Sequence, residues 1–223
     1  MKEVILDTET TGLSVKDGHR IVEIGCIELE NLIPTKNKFH CYLNPERKVS
    51  EKALEVHGYT DKFLADKKKF VDVVDGFLLF IKDKRLIIHN SEFDIAHLNN
   101  ELQIVGRKKI DIKNVIDTLD IARDKFPGSQ ISLDALCKRY RIDNSKREKH
   151  TALVDCELLT KVYINLIDQK EPSLDFISGY QDNNDVKFKS TTNYSKKIIK
   201  PSDKEKTLHK EYLKNSLKKN YFN

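Results

Sequence analysis

No apolar run comes near the roughly eighteen residues of a membrane-crossing helix. The N-terminus also lacks a secretory pattern: its apolar stretch, Val4-Ile5-Leu6, is three residues long and ends on Asp7. The four cysteines (Cys26, Cys41, Cys137, Cys156) are scattered, with no CxxC pair. That argues against a zinc module and a disulfide scaffold and suits the reducing cytoplasm. Apolar residues are only 39% of the 223, enough for one core of ordinary size plus an appendage. There is no internal repeat. Nor is the body a strongly basic nucleic-acid clamp. The net charge is +5, but residues 186–223 carry +8 and residues 1–185 carry −3.

What is present is an alternation of strand-like and helix-like stretches over residues 1–167. Glu3–Asp7, Ile21–Leu29, Lys38–Leu43, Arg85–His89 and Val115–Thr118 are short and rich in Val, Ile, Leu or aromatics, as strands are. Helical spacing of Phe70, Val73, Val74, Phe77, Leu78 and Ile81 predicts a helix over 70–82. Others are expected from Ser91, over 132–140 behind Ser132, and over 151–167. Mixed strands and helices predict an α/β domain with helices covering the sheet. Residues 168–200 are polar and aperiodic and read as a flexible linker. In 201–223, Ser202 and Glu205 have capping-box spacing ahead of a helix whose thin stripe is Leu208, Tyr212, Leu213 and Leu217.

Carboxylates stand at three places where a bland reading strains. Asp7 and Glu9 lie two residues apart on a strand, so they share a face and repel unless a cation separates them. A solvated strand end running into Thr10-Thr11-Gly12 would explain them equally well. Asp94 follows the strand Leu86-Ile87-Ile88, although Ser91 and Asp94 also fit a capping box. Asp155 falls on the apolar stripe of its helix with Leu159, Val162 and Leu166, where an unpaired carboxylate is costly. His150 stands just before that helix, with Thr151 as N-cap. Four carboxylates without a Cys/His cluster favour hard cations such as Mg²⁺ or Mn²⁺. Two such ions about 3.5–4 Å apart are an apparatus for in-line attack on a phosphodiester. A nearby histidine is suited to take the proton of the attacking water.

Asp7-Thr8-Glu9-Thr10-Thr11-Gly12, then His89-Asn90-Ser91-Glu92-Phe93-Asp94, then His150 with Asp155 resemble the three motifs of the DEDDh family of 3′–5′ exonucleases. Val56-His57-Gly58, Ser132–Cys137 and Ile142–Arg147 are similar to stretches of its proofreading members, and the likeness covers residues 1–167. It implies an RNase H-like fold, a mixed, mostly five-stranded sheet flanked by helices. It implies that Asp7, Glu9, Asp94 and Asp155 hold two Mg²⁺ or Mn²⁺ ions and that His150 is the general base. It puts Asp7, Glu9 and Asp155, together with Thr10, Gly12 and His57, against the substrate's terminal nucleotide. Proofreading members often carry Glu where this chain has Lys52, which leaves that one substrate contact open.

The expected activity is removal of 3′-terminal nucleotides as 5′-monophosphates, in the setting of proofreading, in the cytoplasm. The implied partners are the 3′ end of a DNA primer, a replicative polymerase's catalytic subunit met through 201–223, a small third core subunit and a sliding clamp. The clamp peptide would be Gln169–Phe176, with Leu174 and Phe176 as anchors; a contact packing back onto the domain competes with that reading. One alternative is a stand-alone exonuclease trimming RNA or short oligonucleotides. Another is a binding-only module. The basic cluster Lys138, Arg139, Arg141, Lys146, Arg147 and Lys149 could attract phosphates or polymerase, or be a solvated loop.

Overall fold

The computed structural model describes residues 2–145, 147, 149–167 and 201–216. The chain divides into two units, residues 1–173 and 174–223. The first is built on five strands: β1 (Lys2–Thr10), β2 (Ile21–Glu30), β3 (Ile33–Tyr42), β4 (Arg85–Ile88) and β5 (Val115–Asp117). Their order is β3-β2-β1-β4-β5. β1 pairs antiparallel with β2 and parallel with β4; β3 is antiparallel to β2 and β5 parallel to β4. The mixed five-stranded sheet is the one expected.

Helices cover both faces. They are α1 (Glu51–His57), α2 (Asp61–Leu64), α3 (Phe70–Ile81), α4 (Ser91–Ile104), α5 (Thr118–Lys125), α6 (Leu133–Tyr140) and α7 (Ala152–Leu166). Strand alternation sorts the core into two layers. Val4, Leu6, Ile24, Leu86 and Ile88 pack with α3 and α4, through Phe77 and Leu98 among others. Ile5, Ile27 and Ile87 pack with α5, α6 and α7, including Leu136, Leu159 and Val162. On β1, Asp7 and Glu9 therefore continue the face of Ile5, towards α7. Thr8 continues the face of Leu6, towards α4.

The β2–β3 hairpin differs from the expectation. β3 starts at Ile33, not Lys38, because its polar run Thr35-Lys36-Asn37-Lys38 lies on an edge strand facing solvent. Its turn is the two residues Asn31 (φ 50°) and Leu32 (φ 67°), both left-handed, as a primed hairpin turn requires. No Asn-Gly advertises that turn in the sequence.

Ser132 caps α6 and Thr151 caps α7 as the sequence implies, each side chain accepting from the backbone N–H three residues on. The Ser91–Asp94 capping box does not form. Asn90 is left-handed (φ 68°), and the N–H groups of Asn90 and Ser91 donate to Asp117 instead. In the second unit, α8 (Asp203–Ser216) opens with a reciprocal box: Ser202 N–H donates to Glu205 (2.7 Å) and Glu205 N–H to Ser202 Oγ (3.3 Å). Leu208 and Tyr212 are 57% and 58% exposed on it. The expected linker 168–200, with its clamp-like peptide, and Leu217 lie outside the described residues. Among the described residues no helix is long and apolar enough to cross a membrane.

Candidate active site

Three chain segments meet at the end of β1. A bulge interrupts the β1–β2 register between Glu9 and Thr10, and the chain leaves the sheet there. α4 brings Asp94, which is buried and accepts from Thr8 Oγ1–H at 2.6 Å. The first turn of α7 brings Asp155, 3% exposed, with His150 just ahead of it. Ligand atoms of Glu9, His150 and Asp155 all lie within 4.8 Å of one another. Asp7 and Asp94 line the same cavity of about 560 Å³. All five residues singled out for metal binding or catalysis thus border one space.

The electrostatics of this space are those of crowded anions. Burial raises Asp7 well above the carboxylate range, and Asp94, Asp155, Glu9 and Glu23 add repulsion. Burial, then Asp155, Glu23 and Asp94, push Glu9 up to about 8. Asp94 is also raised by burial, against the bonds from Thr8 that favour its charged form. His150 is lowered by burial and the Arg147 charge, with Asp155 and Asp134 pulling the other way. Such a donor set, all oxygens plus one imidazole, fits a hard divalent cation. Without one, burial and mutual repulsion favour the protonated forms of Asp7, Glu9 and Asp94.

Arg147 corrects the sequence reading. The basic cluster reads in the sequence as attracting phosphates or polymerase, or as a solvated helix end and loop, but this guanidinium is nearly buried and turned inward. It donates from Nε and a terminal nitrogen to both oxygens of Asp155 (2.5 and 2.6 Å) and pairs with Asp134 at 2.7 Å. The same terminal nitrogen donates to His150 Nδ1 at 3.0 Å. An arginine has no acceptor, so Nδ1 is the unprotonated nitrogen; its lone pair takes the Arg147 N–H, and the atom lies 3.5 Å from an oxygen of Asp155. No periodicity signals such an arginine, because it lies in a loop. Asp117 was also missed. It accepts from the N–H groups of Asn90, Ser91 and Leu119 and from the Ser91 hydroxyl, and so fixes the turn that delivers Asp94.

Beside the acids lies a second, more apolar cavity of about 440 Å³, bordered by Glu9, Thr10, Gly12, Leu13, His57 and Phe93. Lys52 borders it too. Gly12 is required there, since a Cβ would come within 2.3 Å of the His19 ring. Thr10 Oγ1–H closes the turn on the Gly12 carbonyl at 2.8 Å. His57 is buried with both nitrogens engaged: Nδ1 accepts from Tyr59 N–H (3.0 Å), so Nε2–H donates to the Thr10 carbonyl (3.2 Å). It offers the cavity a ring face rather than a free donor.

The raised acids predict a pH-dependent stability. Glu9 holds its proton up to about 8 when folded but loses it near 4.5 when unfolded. The folded state binds more protons between those values, so this contribution is complete below the unfolded value and is lost as pH rises through the folded one. In EDTA, Tm should fall by several degrees between about pH 5 and pH 8.5. Saturating Mg²⁺ or Mn²⁺ should flatten the curve by favouring the ionised acids. A flat Tm in EDTA would contradict this account of the cluster.

A protein-family model described as "Exonuclease" matches residues 4–163. A DNA polymerase III subunit epsilon from Rickettsia felis is 45% identical over 224 residues, covering 98% of each chain. Among solved structures, exonuclease X in complex with 5′-overhanging duplex DNA matches with a TM-score of 0.58 at 25% identity, over 75% of this chain and 92% of that one. The nuclease domain of 3′hExo, a DEDDh family member bound to rAMP, matches with a TM-score of 0.66 at 19% identity, over 76% and 92%. That second likeness concerns the fold alone.

Proposed function

Because the chain belongs to the family of DNA polymerase III epsilon subunits, the proofreading 3′–5′ exonucleases, we propose a specific division of labour among its residues. Asp7, Glu9, Asp94 and Asp155 would hold two Mg²⁺ or Mn²⁺ ions. Dependence on divalent metal is common to DEDDh exonucleases; the choice between the two ions and the ligand set are this reading's own. The observation that carries it is the convergence within 4.8 Å of ligand atoms of Glu9 on β1, Asp155 on α7 and His150 in the loop just before α7. Ions bound there would activate the attacking water and stabilise the leaving oxygen.

The chain's own residues do the rest. The apolar cavity bordered by Leu13, Val56 and Phe93 takes the terminal nucleotide, with the Thr10–Gly12 backbone and the His57 ring against it. The scissile phosphate then reaches the acids, because Thr8, Glu9 and Phe93 border both cavities. His150 accepts the proton of the water at Nδ1, the nitrogen 3.5 Å from an oxygen of Asp155. That lone pair is held by Arg147, so the guanidinium must move aside before the proton can be taken. Both oxygens of Asp155 are engaged by the same side chain, so a cation there would take the remaining lone pairs and sit beside the guanidinium charge.

The product is a nucleoside 5′-monophosphate and the setting is the cytoplasm. Digestion of 5′-labelled DNA primers with matched and mispaired 3′ ends, in Mg²⁺, tests the function: single-nucleotide shortening of both is expected. A stand-alone trimming enzyme is the less favoured reading, because a subunit of a polymerase matches over 98% of both chains.

Partners follow the same reasoning. α8 leaves Leu208 and Tyr212 exposed on a capped helix, which suits a docking segment for the polymerase catalytic (alpha) subunit. Gln169–Phe176 remains a candidate clamp peptide, and a small third core subunit a candidate companion. A chain of residues 1–170 should keep its activity on free single-stranded primers and lose polymerase binding. Weakened digestion of free DNA with polymerase binding intact would make the tail a DNA-holding element instead.

A further inference from the structure

The buried carboxylate Glu23 has so far entered only through its repulsion of Asp7 and Glu9. Glu23 lies within β2 and is 0% exposed. Such a group is tolerated only where its oxygens are satisfied. Three donors converge on it. His40 Nε2–H reaches one oxygen at 2.7 Å; the Tyr59 hydroxyl (2.8 Å) and the backbone N–H of Ala152 (2.9 Å) reach the other.

Two of those donors lead to the active site. Ala152 opens α7, directly between His150 and Asp155 in the chain, and its N–H is one that a helix start leaves without an internal partner. Tyr59 leads to His57: its N–H donates to His57 Nδ1, and the two rings stack at 4.8 Å and 25°. His57 in turn donates to Thr10, the residue after Glu9. Glu23 is also the ladder partner of Glu9.

Gly25 supplies an independent sign that this junction is built. It shares a strand face with Glu23, and a Cβ on it would lie 2.6 Å from the Ala152 carbonyl carbon. Glycine lets α7 close on β2, and that approach brings the Ala152 N–H within reach of Glu23.

We infer that Glu23 is a positioning residue for the exonuclease reaction: its carboxylate joins the start of α7, which carries Asp155, to Tyr59 and thereby to His57, fixing the acids relative to the terminal-nucleotide pocket. The inference rests on the roles given above to His150, Asp155 and His57. It differs from an electrostatic role, in which the negative charge itself would matter. A glutamine keeps the shape. Its amide oxygen can accept from Tyr59 and Ala152, while its NH₂ meets a His40 that has taken the other tautomer.

The test is steady-state digestion of a single-stranded DNA primer by the full chain in Mg²⁺, with Tm measured for each variant. Glu23→Ala should lower kcat about 10²-fold, the effect of a displacement of about 1 Å. Glu23→Gln should recover to within about threefold of wild type. Tyr59→Phe, which frees only the His57 arm, should raise KM roughly 3- to 10-fold with kcat nearly unchanged. The inference is overturned if folded Glu23→Ala keeps wild-type kcat and KM, or if only its Tm changes. It is equally overturned if Glu23→Gln is as slow as Glu23→Ala, which would assign the effect to charge. Should Glu23→Ala not fold, an unchanged KM in Tyr59→Phe overturns it. A wild-type chain that is inactive, or active in EDTA, removes the underlying functional reading as well.

Discussion

Replacing Asp155 by alanine should cost about 10³-fold or more in exonuclease rate and should also destabilise the metal-free protein. The loss of rate follows from its ligand oxygen lying within 4.8 Å of the ligand atoms of Glu9 and His150. The loss of stability follows from Arg147. From the sequence, Asp155 is a lone carboxylate on an apolar stripe, and its removal should leave stability unchanged or raised. The structure reverses that sign. The carboxylate satisfies a nearly buried guanidinium through two short bonds, and its removal leaves Arg147 with Asp134, which is itself half exposed. Breaking a buried pair by deleting one partner typically costs about 3–5 kcal/mol. Relief of repulsion on Asp7 and Glu9 acts the other way, but over longer distances. The pair term wins, and Tm in EDTA should fall. A Tm in EDTA at or above wild type would contradict the role given to Arg147.

His150→Ala should lose about 10²–10⁴-fold in rate, the usual contribution of a positioned general base, while Mn²⁺ binding measured by calorimetry persists on the remaining carboxylates. The pH dependence gives a second readout. The base must be deprotonated, so activity rises with pH through the His150 value. Burial and Arg147 hold that value below the ordinary histidine value of 6.5. The midpoint of the rising limb should therefore lie below about 6.5. An unchanged rate in the variant would make His150 a bystander.

Much of this site is legible in the sequence because its carriers lie on regular elements. Period two puts Asp7 and Glu9 on one face of β1, and period 3.6 puts Asp155 with Leu159 and Val162. The helix starts at Leu133 and Ala152 are legible for the same reason, since Ser132 and Thr151 act locally. The features that escape are long-range or sit in loops. Asp94 bonds Thr8, 86 residues away, and not its own helix start, because Asp117 has already satisfied the N–H groups there. Arg147 looks like its basic neighbours and is set apart only by what surrounds it. Glu23 was within reach: a carboxylate amid Ile21, Val22 and Ile24 poses the same question as Asp155 on its stripe. Short α1 and α5 carry too little apolar periodicity to be seen.

The central claim is that these acids and His150 hydrolyse 3′-terminal phosphodiesters in a divalent-dependent way. The most direct measurement uses a single-stranded DNA primer labelled in its 3′-terminal nucleotide. Release of that nucleotide is followed in EDTA and again after Mg²⁺ is restored in excess. The account predicts no release in EDTA, recovery on addition of Mg²⁺, and nucleoside 5′-monophosphate as the labelled product. Release that continues undiminished in EDTA, or a labelled product that carries a 3′-phosphate, would contradict it.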